Sequence, residues 1–334
     1  MPAKKTLRLT TFNVENLFNR YAFLDQPWQN RDFEKFVAAV DVVSLASRQG
    51  DLVPYAITDI QRNNTAMAIL DAAPDVLVVQ EIENIYTLRN FNNIYLDDYF
   101  EQTLSLDGND LRGIDVGILI KRGRKDITVE GIRTHIDDAE PNKHITRRSV
   151  AGMGYLVNGA IFSRDCLELD LDVAGTKLTI MANHFKAQDR TPAKSNPKRQ
   201  HQAERVAQLV NEAEAAGRAA IVMGDLNVPP SNTSIVGKTI AAIRGHPKLQ
   251  DPFGSFTNQQ AWTHYYGGDR SVSRIDYILV SKKLSFTKPD PAVDIVRKGQ
   301  TTQNKHYTGP RYGTVGPLHT EASDHCPVIV TLEL

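Results

Sequence analysis

Apolar residues recur along the chain at two spacings, and the way these spacings alternate predicts its elements. Leu7 to Asn13 alternates apolar and polar positions as a half-buried strand does, and Asp75-Val76-Leu77-Val78-Val79-Gln80 is a short apolar run ending on Glu81. Further strands are expected at Asp115 to Ile120, Val157 to Phe162, Cys166 to Val173, Lys177 to Asn183, Ala219 to Met223, Ile275 to Val280 and Val328 to Leu334, with turns at Gly108-Asn109 and Gly175. Helical spacing marks Phe33 to Leu45, Asp59 to Ala72 (stopped by Pro74) and Gln202 to Ala216 (closed by Gly217). Strand-rich stretches with helices between them predict packed sheets flanked by helices. The polar stretches 19–32, 186–200 and 297–322 read as loops, and there is no internal repeat.

Five polar segments stand at the ends of these strands: Thr11-Phe12-Asn13-Val14-Glu15-Asn16, Val79-Gln80-Glu81, Asn183-His184-Phe185, Gly224-Asp225-Leu226-Asn227 and Ser323-Asp324-His325. Asn13, Glu81, Asp225, Asn227 and Asp324 carry oxygen donors, and the apolar run before each of the first four segments delivers them to one sheet edge. Hard oxygen donors select a hard cation such as Mg²⁺ or Mn²⁺, with Ca²⁺ a further candidate. His184 and His325 add groups that move protons or bind phosphate oxygens. Each segment taken alone occurs by chance in many proteins; the order and the strand context carry the signal. Because residues from 13 to 325 must meet at one place, a single domain over 1–334 is expected.

Composition sharpens this picture little. A content of 41% hydrophobic and 23% charged residues is that of a globular chain with a sizeable core. Basic and acidic residues number 39 each, so no global field attracts a polyanion. Their distribution is uneven: Lys186, Arg190, Lys194, Lys198, Arg199 and Arg205 crowd a stretch whose only acids are Asp189 and Glu204. Lys121, Arg122, Arg124 and Lys125 form a second cluster, and Arg297, Lys298, Lys305 and Arg311 a looser third. Cys166 and Cys326 are too few for a disulfide framework and read as buried thiols. No apolar stretch reaches the roughly 18 residues of a membrane span. The N-terminal residues lack a signal-peptide pattern, so a cytoplasmic location is the default expectation, although a processed secreted form has the same appearance.

The ordered set resembles the endonuclease/exonuclease/phosphatase superfamily, in the style of bacterial deoxyribonuclease I-like nucleases, from Leu7 to Leu334. The resemblance implies a four-layered α/β sandwich, two packed mixed sheets with helices outside, and a divalent-metal phosphodiesterase at one end of it. It implies a metal shell of Asn13, Glu81, Glu15 and Asp324, an attacking water oriented by Asp225, phosphate held by Asn227, and His325 on the scissile phosphate. His184 matches a second catalytic histidine, and Asp276 in Arg274-Ile275-Asp276-Tyr277 matches a carboxylate that pairs with one. A histidinium at either His184 or His325 is expected to stabilise the pentacovalent state. Arg164 and Arg112 are candidate phosphate contacts, with Asp115 nearby in sequence. Lys186, Lys194, Lys198 and Arg199 are expected to line a polynucleotide track, with Tyr265, Tyr266, Tyr307 and Tyr312 as stacking surfaces. Nucleic acid, DNA above all, is the expected substrate, and no protein partner can be read from the sequence. The rival readings are a phosphatase or phosphodiesterase of a lipid or inositol phosphate, with Ala261-Trp262-Thr263-His264-Tyr265-Tyr266 as its apolar hairpin, and an inactive scaffold.

Overall fold

The strand Thr6–Leu17 lies at the centre of a seven-stranded sheet, parallel to Val76–Ile82 on one side and antiparallel to Val328–Glu333 on the other. Asp115–Lys121 and then Phe100–Ser105 continue it antiparallel, and the short strands Ser285–Phe286 and Val293–Ile295 flank Val328–Glu333. A second, six-stranded sheet is built in the same succession. Ala219–Asp225 runs parallel to Thr176–His184 and antiparallel to Asp276–Ser281, and Cys166–Val173 and Ile127–Arg133 follow antiparallel. Short Leu249–Gln250 closes its other edge. The structure, a computed structural model, describes residues 5–17, 20–23, 36–38, 52–55, 58–110, 112–150, 154–231, 233–288, 290–317 and 319–334.

The two sheets pack face to face because alternate residues of each strand are apolar on the inner side. Leu7, Leu9, Val76, Val78, Val116 and Ile118 of the first sheet share one core with Leu169, Leu171, Ile180, Met223 and Ile278 of the second. The intervening residues face outward onto helices. Phe12, Leu77 and Val79 pack with Ala66 and Ile69 of the helix Asp59–Ala72 and with Leu88 and Phe91 of the helix Ile85–Tyr95. Met181, Ala220 and Val222 pack with Ala203, Val206 and Val210 of the helix Pro192–Ala215. Helix, sheet, sheet, helix is the four-layered α/β sandwich the sequence predicts. No helix among the described residues is long and apolar enough to cross a membrane.

Several elements differ from the sequence expectation. The helix expected from Gln202 begins ten residues earlier, at Pro192, inside the polar stretch read as a loop. Proline is tolerated in the first turn, and the buried face there is polar rather than apolar: Ser195, Arg199 and Gln202 are each at most 1% exposed. Hydrophobic periodicity cannot detect a helix that buries an arginine and a glutamine. The run Val157 to Phe162 is a strand only at its start, within Gly154–Asn158, paired with Thr146–Val150. The helix expected over Phe33 to Leu45 falls mostly outside the described residues, and Phe36–Ala38 is a strand paired with Arg20–Phe23. Most of the 19–32 loop also lies outside them.

Gly224 is the position where the backbone leaves no choice of residue. Its φ of 138° suits glycine, and a Cβ there would sit 1.9 Å from the Asn183 carbonyl oxygen on the paired strand. Gly224→Ala is therefore expected to destabilise the fold by about 3 kcal/mol or more, read as a lowered urea midpoint. A loss under about 1 kcal/mol would show that the strand pair can separate at no cost.

Candidate active site

The like construction of the two sheets brings equivalent strand ends together. Asn13 stands where the regular pairing of the first central strand breaks and Asp225 ends the other, and the Asn13 Nδ2 donates to Asp225 Oδ2 at 3.2 Å across the sheets. Glu81 and His184 end the strands parallel to these, with His184 Nε2 3.8 Å from Glu81 Oε1. His325 and Asp276 precede or open the antiparallel partners, and His325 Nδ1 lies 2.9 Å from Asp276 Oδ2. Each residue thus meets its counterpart from the other sheet.

Glu81 and two neighbours of the paired residues, Glu15 and Asn227, leave the regular ladder. Glu81 has φ 65° where the pairing with Asp115–Lys121 shifts register, Glu15 has φ 50° in the bulged end of its strand, and Asn227 has φ 57°. Left-handed backbone at residues other than glycine costs energy and persists where surrounding contacts enforce it. Those contacts are present. The Glu15 amide donates to Asn13 Oδ1 at 3.0 Å, and the Asn227 amide to Asp225 Oδ1 at 2.7 Å. Glu15 Oε2 in turn accepts from the Asp324 amide at 2.9 Å, tying the first strand to the last.

The carboxylates are crowded. Asn13 Nδ2 bridges Glu81 Oε1 and Asp225 Oδ2, both at 3.2 Å. Burial, then Asp324, Glu321 and Glu81, push the Glu15 carboxyl well above its ordinary value. Asp225 is pushed up to about 7 by burial and by Asp276 and Glu81, against the opposing pull of His325. Asn227 Nδ2 also donates to Asp225 Oδ2, at 3.1 Å, and to the Phe185 carbonyl. Crowded carboxylates are what a divalent cation relieves, and the oxygen donors of Glu15, Glu81 and Asp324 fit one. In the orientation found, Asn13 Nδ2 spaces the carboxylates while its oxygen accepts from the Glu15 amide.

The histidines part company. Burial lowers the proton affinity of His325, but Asp276 and Asp324 outweigh it and hold the imidazole charged well above its ordinary pKa. Thr263 Oγ1 donates to Asp276 Oδ2 at 2.6 Å and Gln300 holds the carbonyls of Ser323 and His325, so the pair is braced. His184 is 2% exposed, and burial, then Arg164, His325 and Arg112, push it well below its ordinary value. Of the two positions offered for a histidinium, His325 is the one whose surroundings favour the charge, while burial disfavours it at His184, 3.5 Å from Asp225 Oδ2. Asp324 is lowered because His325 and His264 outweigh its burial. His264 escaped the sequence reading; nothing in its local motif marks it, and the hairpin of His264–Tyr266 and Ser271–Ser273 brings it beside His325, rings 4.6 Å apart.

The basic candidates are sorted by what they touch. Arg112 forks onto Asp110 at 2.9 and 3.1 Å, and buried Arg164 holds the same carboxylate at 2.9 Å and the Phe185 carbonyl at 3.3 Å. Both feel the charge of Glu81, so this trio borders the carboxylates. Asp115, pushed up to about 7 chiefly by burial, accepts from Gly108 at 2.7 Å and ties down the loop that carries them. Lys186 pairs with Asp189 at 3.0 Å, and Lys194 is exposed in the first turn of its helix. Lys198 and Arg199 are corrected as substrate contacts. Lys198 pairs with Glu140 at 2.9 Å and donates to the Ala160 carbonyl, while Arg199 is 1% exposed and donates to the carbonyls of Lys186 and Ala187. Arg199 braces the helix against the loop after His184, and Lys198 ties it to Glu140 and Ala160. Arg311 likewise donates to the carbonyls of Gln300, Asn304 and Tyr307. The 121–125 cluster follows the end of Asp115–Lys121 remote from Asp115, hence remote from the site.

The fold is similar to that of TDP2 from C. elegans, at 15% identity over 99% of this chain and 77% of that one with a TM-score of 0.57. It is also similar to the endonuclease/exonuclease/phosphatase from Bacteroides vulgatus, at 17% identity, 99% and 100% coverage and a TM-score of 0.56. D. rerio TDP2 complexed with single strand DNA product gives 15%, 99%, 100% and 0.56. At such identities the likeness is one of fold. No curated protein matches the chain at a significant level. A family model matches residues 10–325, which includes every strand-end residue described above, and the chain belongs to the Endonuclease/Exonuclease/phosphatase family, whose members are metal-dependent phosphoesterases.

Proposed function

We propose that this chain is a Mg²⁺- or Mn²⁺-dependent nuclease that hydrolyses DNA phosphodiester bonds. The observation that carries the reading is the opposite tuning of two neighbours: Asp225 is pushed up to about 7 while His325, its Nε2 3.9 Å from Asp225 Oδ2, is held protonated. A base near neutrality beside a fixed imidazolium is the pairing that acid–base chemistry on a phosphodiester needs. Asp225 Oδ1 carries one hydrogen bond, from Asn227, and retains a lone pair for an incoming water, which it orients and deprotonates. His325 directs its Nε2–H at the phosphate while Asp276 holds Nδ1, so charge gathering on the phosphoryl oxygens meets a cation already in place. Asn227 keeps Asp225 aligned, and neutral His184 packs against Asp225 and Glu81 without adding a competing charge. Glu81, with Glu15 and Asp324, would hold the divalent ion, which when bound offsets the negative charge of the substrate and of the leaving oxygen.

For the substrate class, the segment Ala261–Tyr266 buries most of its apolar side chains rather than presenting them to a lipid. Trp262 is 2% exposed beneath the Arg297 guanidinium, 4.3 Å from its ring, and Tyr265 is 4% exposed, which leaves Tyr266 as its exposed aromatic. Arg112, its side chain 43% exposed and its fork held by Asp110, sets a fixed positive charge beside the carboxylates that favours an anionic phosphate. The D. rerio TDP2 structure of the same fold holds single-stranded DNA product.

Glu81→Ala and His325→Ala are each expected to lower metal-supported cleavage of supercoiled plasmid by at least about 10²-fold while the circular dichroism spectrum is retained. Near-wild-type turnover by either folded variant contradicts the assignment. Because Asp276 raises the His325 pKa, Asp276→Asn lets the imidazolium lose its proton at lower pH. The alkaline limb of the kcat/KM profile is then expected to move down by about one pH unit or more; an alkaline limb that stays in place removes His325 from the protonated role.

A further inference from the structure

Among the described residues, His264, Asp324 and His325 each place one ligand atom within 4.8 Å of the other two. The donor set differs from the carboxylates beside it, since two of the three groups are imidazoles. Imidazole nitrogen favours Zn²⁺ and its transition-metal neighbours, whereas Mg²⁺ takes oxygen. Both rings are held in the manner of metal-binding histidines, one nitrogen fixed by a hydrogen-bonding partner and the other directed at the site. His325 Nδ1 is fixed by Asp276 at 2.9 Å and His264 Nδ1 faces Ser273 Oγ at 3.4 Å. Their Nε2 atoms point at the two oxygens of Asp324: His264 Nε2 is 3.5 Å from Oδ2, and His325 Nε2 is 3.8 Å from Oδ1. Ligands around a tetrahedral Zn²⁺ at bond lengths of about 2.1 Å are about 3.4 Å apart, so the two spacings to Asp324 need shifts of a few tenths of an ångström, and the two ring nitrogens, within 4.8 Å of each other, close by a side-chain rotation on binding. The Asp324 side chain is 38% exposed, so the fourth position opens to solvent.

We infer that His264, Asp324 and His325 form a Zn²⁺ site separate from the carboxylate cation site, and that its occupation switches the enzyme off by taking the Nε2 lone pair of His325. Zinc bound at Nε2 occupies the one ring nitrogen of His325 that Asp276 leaves to face the phosphate. Asp324 is common to both cation sites, whereas His264 belongs to the zinc site alone. Zn²⁺ binding stands on the geometry by itself; the inhibition rests on the nuclease reading.

The test separates the two. Wild-type protein and His264→Phe, which keeps an aromatic ring against His325, are dialysed to equilibrium against Zn²⁺ in excess Mg²⁺, and bound zinc is counted. Wild type is expected to retain one more Zn²⁺ than the variant; equal zinc in the two overturns the site whatever the enzyme hydrolyses. Wild type alone provides a second reading, independent of whether the variant folds. Co²⁺ in place of Zn²⁺ should give the intense visible absorption of a four-coordinate nitrogen-ligated ion that Mg²⁺ does not abolish, and a weak octahedral spectrum overturns the proposal. In plasmid cleavage, with each protein normalised to its own zinc-free rate, the Zn²⁺ concentration for half-inhibition should rise by about 10-fold or more in His264→Phe. Equal sensitivity of both proteins, with the zinc count differing, overturns the switch.

Discussion

Crowding of carboxylates into a partly buried site is the constraint around which this structure is arranged. Glu15, Glu81, Asp225, Asp276 and Asp324 converge at the ends of two sheets, where burial, foremost at Glu15 and Asp225, and then mutual repulsion oppose their charge. The chain meets this with one amide, Asn13, set between Glu81 and Asp225, and with one cation, His325, placed between Asp276 and Asp324. What remains unrelieved appears as raised proton affinity at Glu15 and Asp225. That residue of unfavourable energy gives the site both its affinity for a cation and a base near neutrality.

The two sheets share one strand succession, and this is why few residues suffice. Equivalent strand ends meet across the interface as Asn13 with Asp225, Glu81 with His184, and His325 with Asp276. One member of each pair is an acid and the other an amide or imidazole. Because both sheets share a common core of interleaved aliphatic residues, the spacing of these pairs is set by close packing rather than by loops. The left-handed residues Glu15, Glu81 and Asn227 then turn the side chains out of the ladders at the last step.

Much of this was legible in the sequence because strand ends are where an apolar run meets a polar motif. The runs before Asn13, Glu81, His184 and Asp225 gave both the strand and the direction of its terminal side chain, and all of these residues do converge. What the sequence hid is instructive in physical terms. The first turns of the helix Pro192–Ala215 bury Ser195, Arg199 and Gln202, which satisfy loop carbonyls and amides, so a polar face was read as a loop and two of its basic residues as substrate contacts. His264 reaches the site by a pairing with His325 across 61 positions, which no local pattern announces. The division of charge between His184 and His325 depends on which has a carboxylate on its ring nitrogen, a matter of contact rather than of residue type.

The most direct test of the account is a hydrolysis panel on the purified chain with Mg²⁺ or Mn²⁺: supercoiled plasmid, linear duplex and single-stranded DNA, RNA, sphingomyelin and inositol polyphosphates, each repeated in EDTA. The account predicts cleavage of DNA that EDTA abolishes, with the lipid and inositol phosphates untouched. Inert DNA with metal-dependent turnover of a lipid or an inositol phosphate would contradict it and give the same tuned pair, Asp225 and His325, a different phosphoester to work on.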